Sequence, residues 1–172
     1  MAQQPKRREE EERKMEEPTN FADIMDTPMS QIKPLPPMPP GIYRLMVIGD
    51  AGWQVARTGT QMTVYTCQYL APYRDVDAEA LEEALTLPDG TVMPITDRTI
   101  PARFFHTQLA LPRLKRFLNN LGIPDTDDDG NELSIKEAIK MVPGRQFLGQ
   151  VTHATSDEGT VYNNLGTTAK VE

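Results

Sequence analysis

The pattern of apolar, polar and β-forming residues predicts five β-strands after residue 40. In the stretch 60–73, for example, Tyr65 and Tyr69 fall on one side of the chain, whereas Met62 and Val64 fall on the other. A period of two residues is typical of a strand with one face against a core. The stretch 42–48 is instead rich in β-forming residues and is bounded by Gly41 and Gly49. In all, we expect strands at 42–48, 60–73, 98–106, 146–155 and 160–171.

A helical segment separates the third and fourth of these strands. Apolar residues there recur every three or four positions, a spacing that places them on one face of a helix. The helix predicted over 109–121 is followed by Gly122 and Pro124, which are common residues just after a helix. Two shorter helices are expected at 77–87, which is acidic, and at 134–142. The apolar positions of the main helix are Leu109, Leu111, Leu114, Phe117, Leu118 and Leu121.

The order of three strands, a helical segment and two strands indicates the fold class. A mainly β chain with this order is typical of the OB-fold, a five-stranded Greek-key barrel with its helical segment between strands 3 and 4. A generic α+β sheet is the alternative. We favour the barrel because the folded region begins and ends with a strand and because its glycines supply bends for closure. Those glycines are Gly41, Gly49, Gly52, Gly59, Gly149 and Gly166.

The first 40 residues differ in composition from the rest of the chain. They contain eight of the fifteen prolines and a nearly continuous run of charged residues at 6–17. Such a segment has no apolar face to bury, so we expect an extended N-terminal arm, either solvated or docked on a partner. Residues 33–40 are predicted to form a stiff polyproline II spacer. The expected domains are therefore this arm at 1–40 and an OB-fold-like domain at 41–172, with an acidic helical insertion at about 75–90.

The composition argues against several classes of protein. No run of 18 apolar residues is present, which excludes a transmembrane helix, and the charged N-terminus argues against a secretory signal. The single cysteine, Cys67, cannot form an intramolecular disulfide. We therefore expect a cytoplasmic protein with no membrane partner.

Motifs for catalysis and for metal binding are weak. Residues 125–130 match the first half of a calcium-binding EF-hand loop, but its last ligand position is Lys136 instead of a glutamate. Ser134 and Glu137 instead have the spacing of a capping box at the start of a helix. The two histidines stand in no catalytic pattern, and no phosphate-binding loop is present. The sequence predicts an acidic surface loop, no cofactor and no enzymatic activity.

The net charge of −7 conceals a separation of charges along the chain. Residues 41–172 contain 12 basic and 17 acidic residues, but 12 of the acidic residues lie in 75–89 and 125–137. The strands and the main helix are therefore basic. A basic groove can follow a phosphate backbone even in a protein whose net charge is negative.

Aromatic residues accompany the arginines on the predicted strands. Trp53 and Arg57 lie in the loop expected between strands 1 and 2, a common ligand loop of OB-folds. Aromatic rings stack on bases and arginines neutralise phosphates, so the pattern predicts a surface for single-stranded nucleic acid. The alternative is that the rings pack beneath the arm or the acidic helix. The predicted stacking residues are Trp53, Tyr65, Tyr69 and Phe105, and the predicted phosphate partners are Arg44, Arg57 and Arg103.

Four short segments, taken in order, carry a resemblance to a known family. They are Pro40-Gly41-Ile42-Tyr43, Thr58-Gly59-Thr60-Gln61-Met62, the stretch 109–123 ending in Leu121-Gly122-Ile123, and Val142-Pro143-Gly144-Arg145. This layout resembles phage-encoded OB-fold proteins of the single-stranded-DNA-binding type. The resemblance implies binding of displaced single strands during phage replication or recombination, in the cytoplasm of the host cell. The arm and the insertion at 75–89 depart from the family's pattern.

The sequence therefore supports two alternative hypotheses about function. In the first, the chain is a non-enzymatic module whose partners are single-stranded DNA and, through the arm, phage replication or recombination proteins. In the second, it is a virion structural or assembly protein whose arm contacts neighbouring subunits. An arm ordered against another subunit would favour assembly, and a detached arm would favour DNA binding.

Overall fold

Five antiparallel strands form one sheet, in the order β3-β2-β1-β4-β5. The computed structural model describes residues 24–32 and 34–171. Helix α1 (Ala78–Leu85) follows the second strand, and helices α2 (Leu111–Asn120) and α3 (Ile135–Ile139) lie between the third and the fourth. The strands are β1 (Gly41–Val55), β2 (Gln61–Arg74), β3 (Thr99–Phe105), β4 (Gln146–Thr155) and β5 (Val161–Ala169).

The mainly β fold is confirmed, and so are the two helix signals read from the sequence. Gly122 has a φ of +81° just after α2, and its N–H donates to the carbonyl oxygen of Asn119. At the start of α3 the Ser134 hydroxyl accepts from the Glu137 N–H at 3.2 Å. The Glu137 carboxylate in turn accepts from the Ser134 N–H at 3.0 Å, which completes the predicted capping box.

Strand β1 is longer than predicted and contains a bend. Its register with β2 shifts between Ile48 and Gly52, and Gly49 has a φ of +71°, so the strand bulges here and then continues to Val55. A short turn at 56–60 connects β1 to β2. The prediction of a long loop between the first two strands is therefore wrong, because the strand bends at the bulge and then pairs with β2 again.

The sheet is open, so the closed Greek-key barrel that the sequence predicts is not confirmed. β3 and β5 are the edge strands, and although they approach one another, no backbone ladder joins them among the described residues. Pro101 supplies a physical reason for the open edge. Its nitrogen lies on the side of β3 that faces away from β2, and a proline has no N–H to donate to a further strand.

Helix α2 covers the gap between the two edge strands. The Arg113 guanidinium lies over the Phe104 ring of β3, 5.2 Å from its centroid, and donates to the Leu165 carbonyl oxygen of β5 at 3.5 Å. The Asn120 side-chain amide donates to the Thr168 carbonyl oxygen at 3.0 Å. Side chains of α2 thus bond to backbone oxygens of β5 where the sheet has no further strand.

Aromatic rings form the centre of the core between α2 and the sheet. Phe117 is 1% exposed, and its ring centroid lies 4.7 Å from that of Phe104, 5.1 Å from that of Phe147 and 5.7 Å from that of Tyr65. Offset and edge-on pairs of this kind add stability beyond the area they bury. Further buried residues of the strands surround them, namely Tyr43, Leu45, Val47, Cys67, Tyr69, Ile100, Ala102 and Val151.

Residues 36–40, here called the strap, are fixed to the folded unit. They group with the rest of the folded unit, 36–172, although the predicted arm extends to residue 40. Met38 is fully buried, and its N–H donates to the Asn163 side-chain oxygen at 2.8 Å. Its carbonyl oxygen accepts from the Asn163 amide at 2.8 Å and from His153 Nε2 at 2.9 Å. The strap is therefore packed against the sheet through Met38.

Two further side chains bind the strap through its proline carbonyl oxygens. The Tyr43 hydroxyl donates to the Pro39 carbonyl oxygen at 2.6 Å, and the Arg98 guanidinium donates to that of Pro36 at 2.7 Å. Burial raises the pKa of Tyr43 to about 12, so its hydroxyl remains a donor well into the alkaline range. A proline offers a carbonyl oxygen but no N–H, and both bonds use that oxygen.

The remainder of the predicted arm is described only at 24–32 and 34–35. There the 3-10 turn Met29–Gln31 contains no buried residue. The charged run at 6–17 lies outside the described residues, as do the rest of 1–23 and Lys33. None of the helices in the described ranges has both the length and the hydrophobicity that a transmembrane span requires.

Candidate nucleic-acid interface

Trp53 lies on strand β1 and not in a loop. It pairs with Thr63 of β2, which pairs with Phe104 of β3, so these three side chains share the inner side of the sheet. Thr63 and Phe104 are buried, whereas Trp53 is 65% exposed because it lies near the end of the hairpin formed by β1 and β2. The prediction that Trp53 lies in a loop is therefore wrong, while its exposure is as predicted.

His106 holds the Trp53 side chain in place. The two rings meet edge-on, with centroids 5.2 Å apart and planes at 78°. The imidazole Nε2 is hydrogen-bonded to the Thr63 hydroxyl, and the His106 N–H donates to the Gln61 carbonyl oxygen at 2.8 Å. The indole is therefore positioned by its neighbours while most of its surface remains accessible.

Tyr65 and Tyr69 do not reach the surface. Both side chains are completely buried on the inner face of β2, and neither hydroxyl has a hydrogen-bond partner among the described residues. Burial raises the pKa of both hydroxyls above the ordinary value. The prediction that they stack on bases is therefore wrong. They do share one face of β2, as expected, but that face packs on the core.

Phe105 and Arg103 lie together on the outer face of β3, as predicted. Phe105 pairs with Met62 and Arg103 pairs with Val64, both on the outer face of β2. Phe105 is 41% exposed, and Arg103 is exposed as well. Met62 is itself buried, at 7% exposure, and Val64 is half-buried. We call these four residues the outer patch, of which Phe105 and Arg103 form the exposed part. An exposed ring beside a guanidinium suits the stacking of one base and contact with the phosphate next to it.

Arg57 adjoins the outer patch, whereas Arg44 does not. Arg57 is exposed in the turn at 56–60, at the end of β2 where Met62 lies. Arg44 is half-buried and lies opposite Ala71, near the other end of β2. At about 3.4 Å per residue, roughly 30 Å of strand separates Ala71 from Met62. The structure therefore does not bring Arg44 to the predicted site.

The expected separation of charge is present in the fold. The five strands and α2 contain six basic residues but a single acidic one, Asp50. Among the described residues one ion pair is present, between Lys115 and Asp125 at 3.5 Å. Arg57 and Arg103 thus have no carboxylate partner in this part of the chain, and their charges are available to a phosphate.

The acidic helix α1 lies at the far end of β2 and β3 from the outer patch. It follows Arg74, the last residue of β2, and Arg98, which precedes β3, donates to the Ala84 carbonyl oxygen near its end at 3.2 Å. The outer patch lies instead where β2 begins and β3 ends. The carboxylates of Glu79, Glu82 and Glu83 therefore lie away from Phe105 and Arg103.

The acidic loop after α2 is closed on itself by hydrogen bonds. The Asp127 carboxylate accepts from the N–H groups of Asn131 at 2.8 Å and Asp129 at 3.0 Å, and from the Asn131 amide at 3.3 Å. These bonds lower the pKa of Asp127 below its usual value, and the bond from the Asn131 N–H has the largest effect. Within the described residues, no group of His, Cys, Asp or Glu side chains has an arrangement that could hold a metal ion.

Two lysines that the sequence does not mark as binding residues lie beside Trp53. Lys136 and Lys140 line a cleft of about 240 Å³ together with Trp53 and Asp50. Their spacing of four residues places both lysines on one side of a helical turn, which is a signal that the sequence contains. The surrounding acidic residues of 125–137 concealed it, because the segment as a whole is strongly negative.

No family model matches the chain, and no curated protein matches it. Its function has to be inferred from the geometry and the charge of these surfaces.

Proposed function

We propose that the protein is a non-enzymatic module that binds single-stranded DNA on the outer patch and the adjoining hairpin turn. The observation that carries this proposal is the exposed pair Arg103 and Phe105, next to the exposed Arg57, on strands without acidic residues. The Phe105 ring stacks on a base, and the two arginines neutralise phosphates on either side of it. Stacking and charge together are the usual basis of binding without sequence preference.

The strand order supports an OB-type arrangement for this module. β1 pairs with both β2 and β4, and the edge strands β3 and β5 approach one another beside α2. An OB-fold is a partly open five-stranded barrel that binds oligonucleotides on its second and third strands. The outer patch lies on β2 and β3, which are the corresponding strands. We therefore propose that the open sheet is a partly open OB-type barrel.

The biological setting in this proposal comes from the family resemblance. The ligand would be single strands displaced during phage replication or recombination in the host cytoplasm. Binding would not depend on sequence, because every base has a face on which an aromatic ring can stack. Phage replication or recombination proteins would be reached through the arm.

Two substitutions test the proposal by different readouts. Phe105→Ala is expected to weaken binding of labelled oligo-dT by about 1–3 kcal/mol, because one stacked base is lost. Arg57→Ala is expected to make the slope of log K against log salt shallower by about 0.7, because one phosphate contact is lost. Both effects are measured by fluorescence anisotropy over a range of salt concentrations.

A charge change away from the outer patch serves as the control. Replacing Glu79, Glu82 and Glu83 by glutamine also makes the protein more positive, but α1 lies at the other end of β2. We expect this triple variant to bind oligo-dT nearly as the wild type does. A large gain in its affinity, with no effect of Phe105→Ala or Arg57→Ala, would place the binding surface elsewhere.

A further inference from the structure

The cleft beside Trp53 has the chemical groups of a second nucleotide site. It is lined by Trp53 of β1 and by Lys136, Ile139 and Lys140 from the α3 region. The volume of about 240 Å³ is smaller than a typical pocket for a whole cofactor, which suits a single base more than a larger ligand. The cleft is therefore a small aromatic and cationic site on the inner side of the hairpin.

The charges at this cleft favour a phosphate. Both lysines are exposed, and neither has an ion pair within the described ranges. The neighbouring Glu137 carboxylate is directed to the Ser134 N–H at 3.0 Å in the capping box, so it is engaged at the start of α3. Asp50 is the single acidic residue that lines the cleft. Two ammonium groups and one carboxylate leave the cleft positive.

The outer patch and this cleft lie on opposite faces of the same hairpin. Gln54 pairs with Met62 on the outer face, and the next pair, Trp53 with Thr63, belongs to the inner face. The hairpin ends in the turn at 56–60, where Arg57 is exposed. A strand bound to the outer patch thus reaches the inner face by passing over this turn.

We propose that a single strand wraps around the end of the β1–β2 hairpin, with one base stacked on Trp53 and the adjoining phosphates bound by Lys136 and Lys140. This inference rests on the proposed function and extends its site to a second face. His106 packs edge-on against the indole and is itself hydrogen-bonded to Thr63, which favours one orientation of the stacking surface. The strand then contacts the outer patch, Arg57 and the cleft in that order.

The experiment uses the fluorescence of the single tryptophan in the full chain. Oligo-dT of about 16 nucleotides, the upper range of site sizes for one OB-fold, is added while anisotropy of its label and Trp53 emission are recorded together. Anisotropy reports all binding, whereas Trp53 emission reports occupation of the cleft. The variant is Lys136→Gln with Lys140→Gln, and its matched control is Lys115→Gln with Lys170→Gln, which removes equal charge elsewhere.

We expect the Lys136/Lys140 variant to lose most of the quenching of Trp53 and to show a salt slope shallower by about 1.4, about 0.7 for each phosphate. The control variant is expected to keep the quenching of the wild type. Trp53→Ala is expected to weaken binding about 5- to 150-fold, the equivalent of one stacked base.

Two results would contradict the proposal that the strand wraps around the hairpin, and only the second would also contradict the proposed function. If the labelled strand binds in a Phe105-dependent way but Trp53 is not quenched, or both lysine variants behave alike, the path is wrong and the outer site remains. If the wild type does not bind the strand at all, the proposed function fails and the wrapped path fails with it.

Discussion

Replacing Phe117 by alanine is expected to lower the free energy of unfolding by about 3–5 kcal/mol, the usual range for a buried phenylalanine. The side chain is 1% exposed and contacts three other rings, so its removal leaves a cavity that α2 and the sheet cannot both fill. Chemical denaturation followed by circular dichroism measures the change.

Phe105→Ala is the matched control, because it removes the same ring from the outer face of the sheet. Phe105 is 41% exposed, so its removal leaves a smaller cavity than that of Phe117, and we expect a destabilisation of about 1 kcal/mol. Equal losses for the two variants would contradict the position of α2 over the open side of the sheet. The control also establishes that Phe105→Ala remains folded in the binding experiments.

Replacing Met38 by alanine is expected to cost about 2–5 kcal/mol, although the residue lies in a proline-rich segment. Met38 is fully buried, and its backbone is bonded to Asn163 and His153. Loss of the side chain therefore opens a cavity between the strap and the sheet. Thermal and denaturant unfolding measure the effect.

Met29→Ala provides the comparison for Met38→Ala within the same proline-rich part of the chain. Met29 is 88% exposed, and we expect its replacement to change stability by less than about 0.5 kcal/mol. If Met38→Ala were equally neutral, the strap would not contribute to the stability of the folded unit.

Local signals predicted the elements of the fold well, because they depend on nearby residues. The alternation in β2, the glycine after α2 and the capping box of α3 each act within a few positions along the chain. The strap was not predicted, because its place depends on a partner far along the chain: Met38 and Asn163 are 125 residues apart. Proline content in the strap indicated a spacer and concealed the one methionine that is buried.

Whether the sheet closes into a barrel could not be predicted from the sequence either. Strand order and glycine positions are compatible with a barrel, but a ladder between β3 and β5 depends on how two distant edges meet. Pro101 is visible in the sequence, yet its effect requires knowledge of which side of β3 its nitrogen faces. The bridging of β5 by Arg113 and Asn120 likewise depends on the tertiary position of α2.

The candidate site was predicted in part, and the errors have a common cause. Periodicity places Tyr65 and Tyr69 on one face of β2 and Arg103 and Phe105 on one face of β3, which is correct. It does not tell which face packs on the core, so the two tyrosines were placed on the surface. Lys136 was missed for a different reason, since its proximity to Trp53 arises only when α3 folds beside the hairpin.

The central claim is tested most directly by the salt dependence of oligo-dT binding to the wild-type protein. Contact of two phosphates with Arg57 and Arg103 alone predicts a slope of log K against log salt of about −1.4, and the lysines beside Trp53 make it steeper. We expect measurable binding at low salt that weakens along this slope. The absence of binding at low salt and micromolar protein, or an affinity that does not change with salt, would contradict the account and favour the assembly role.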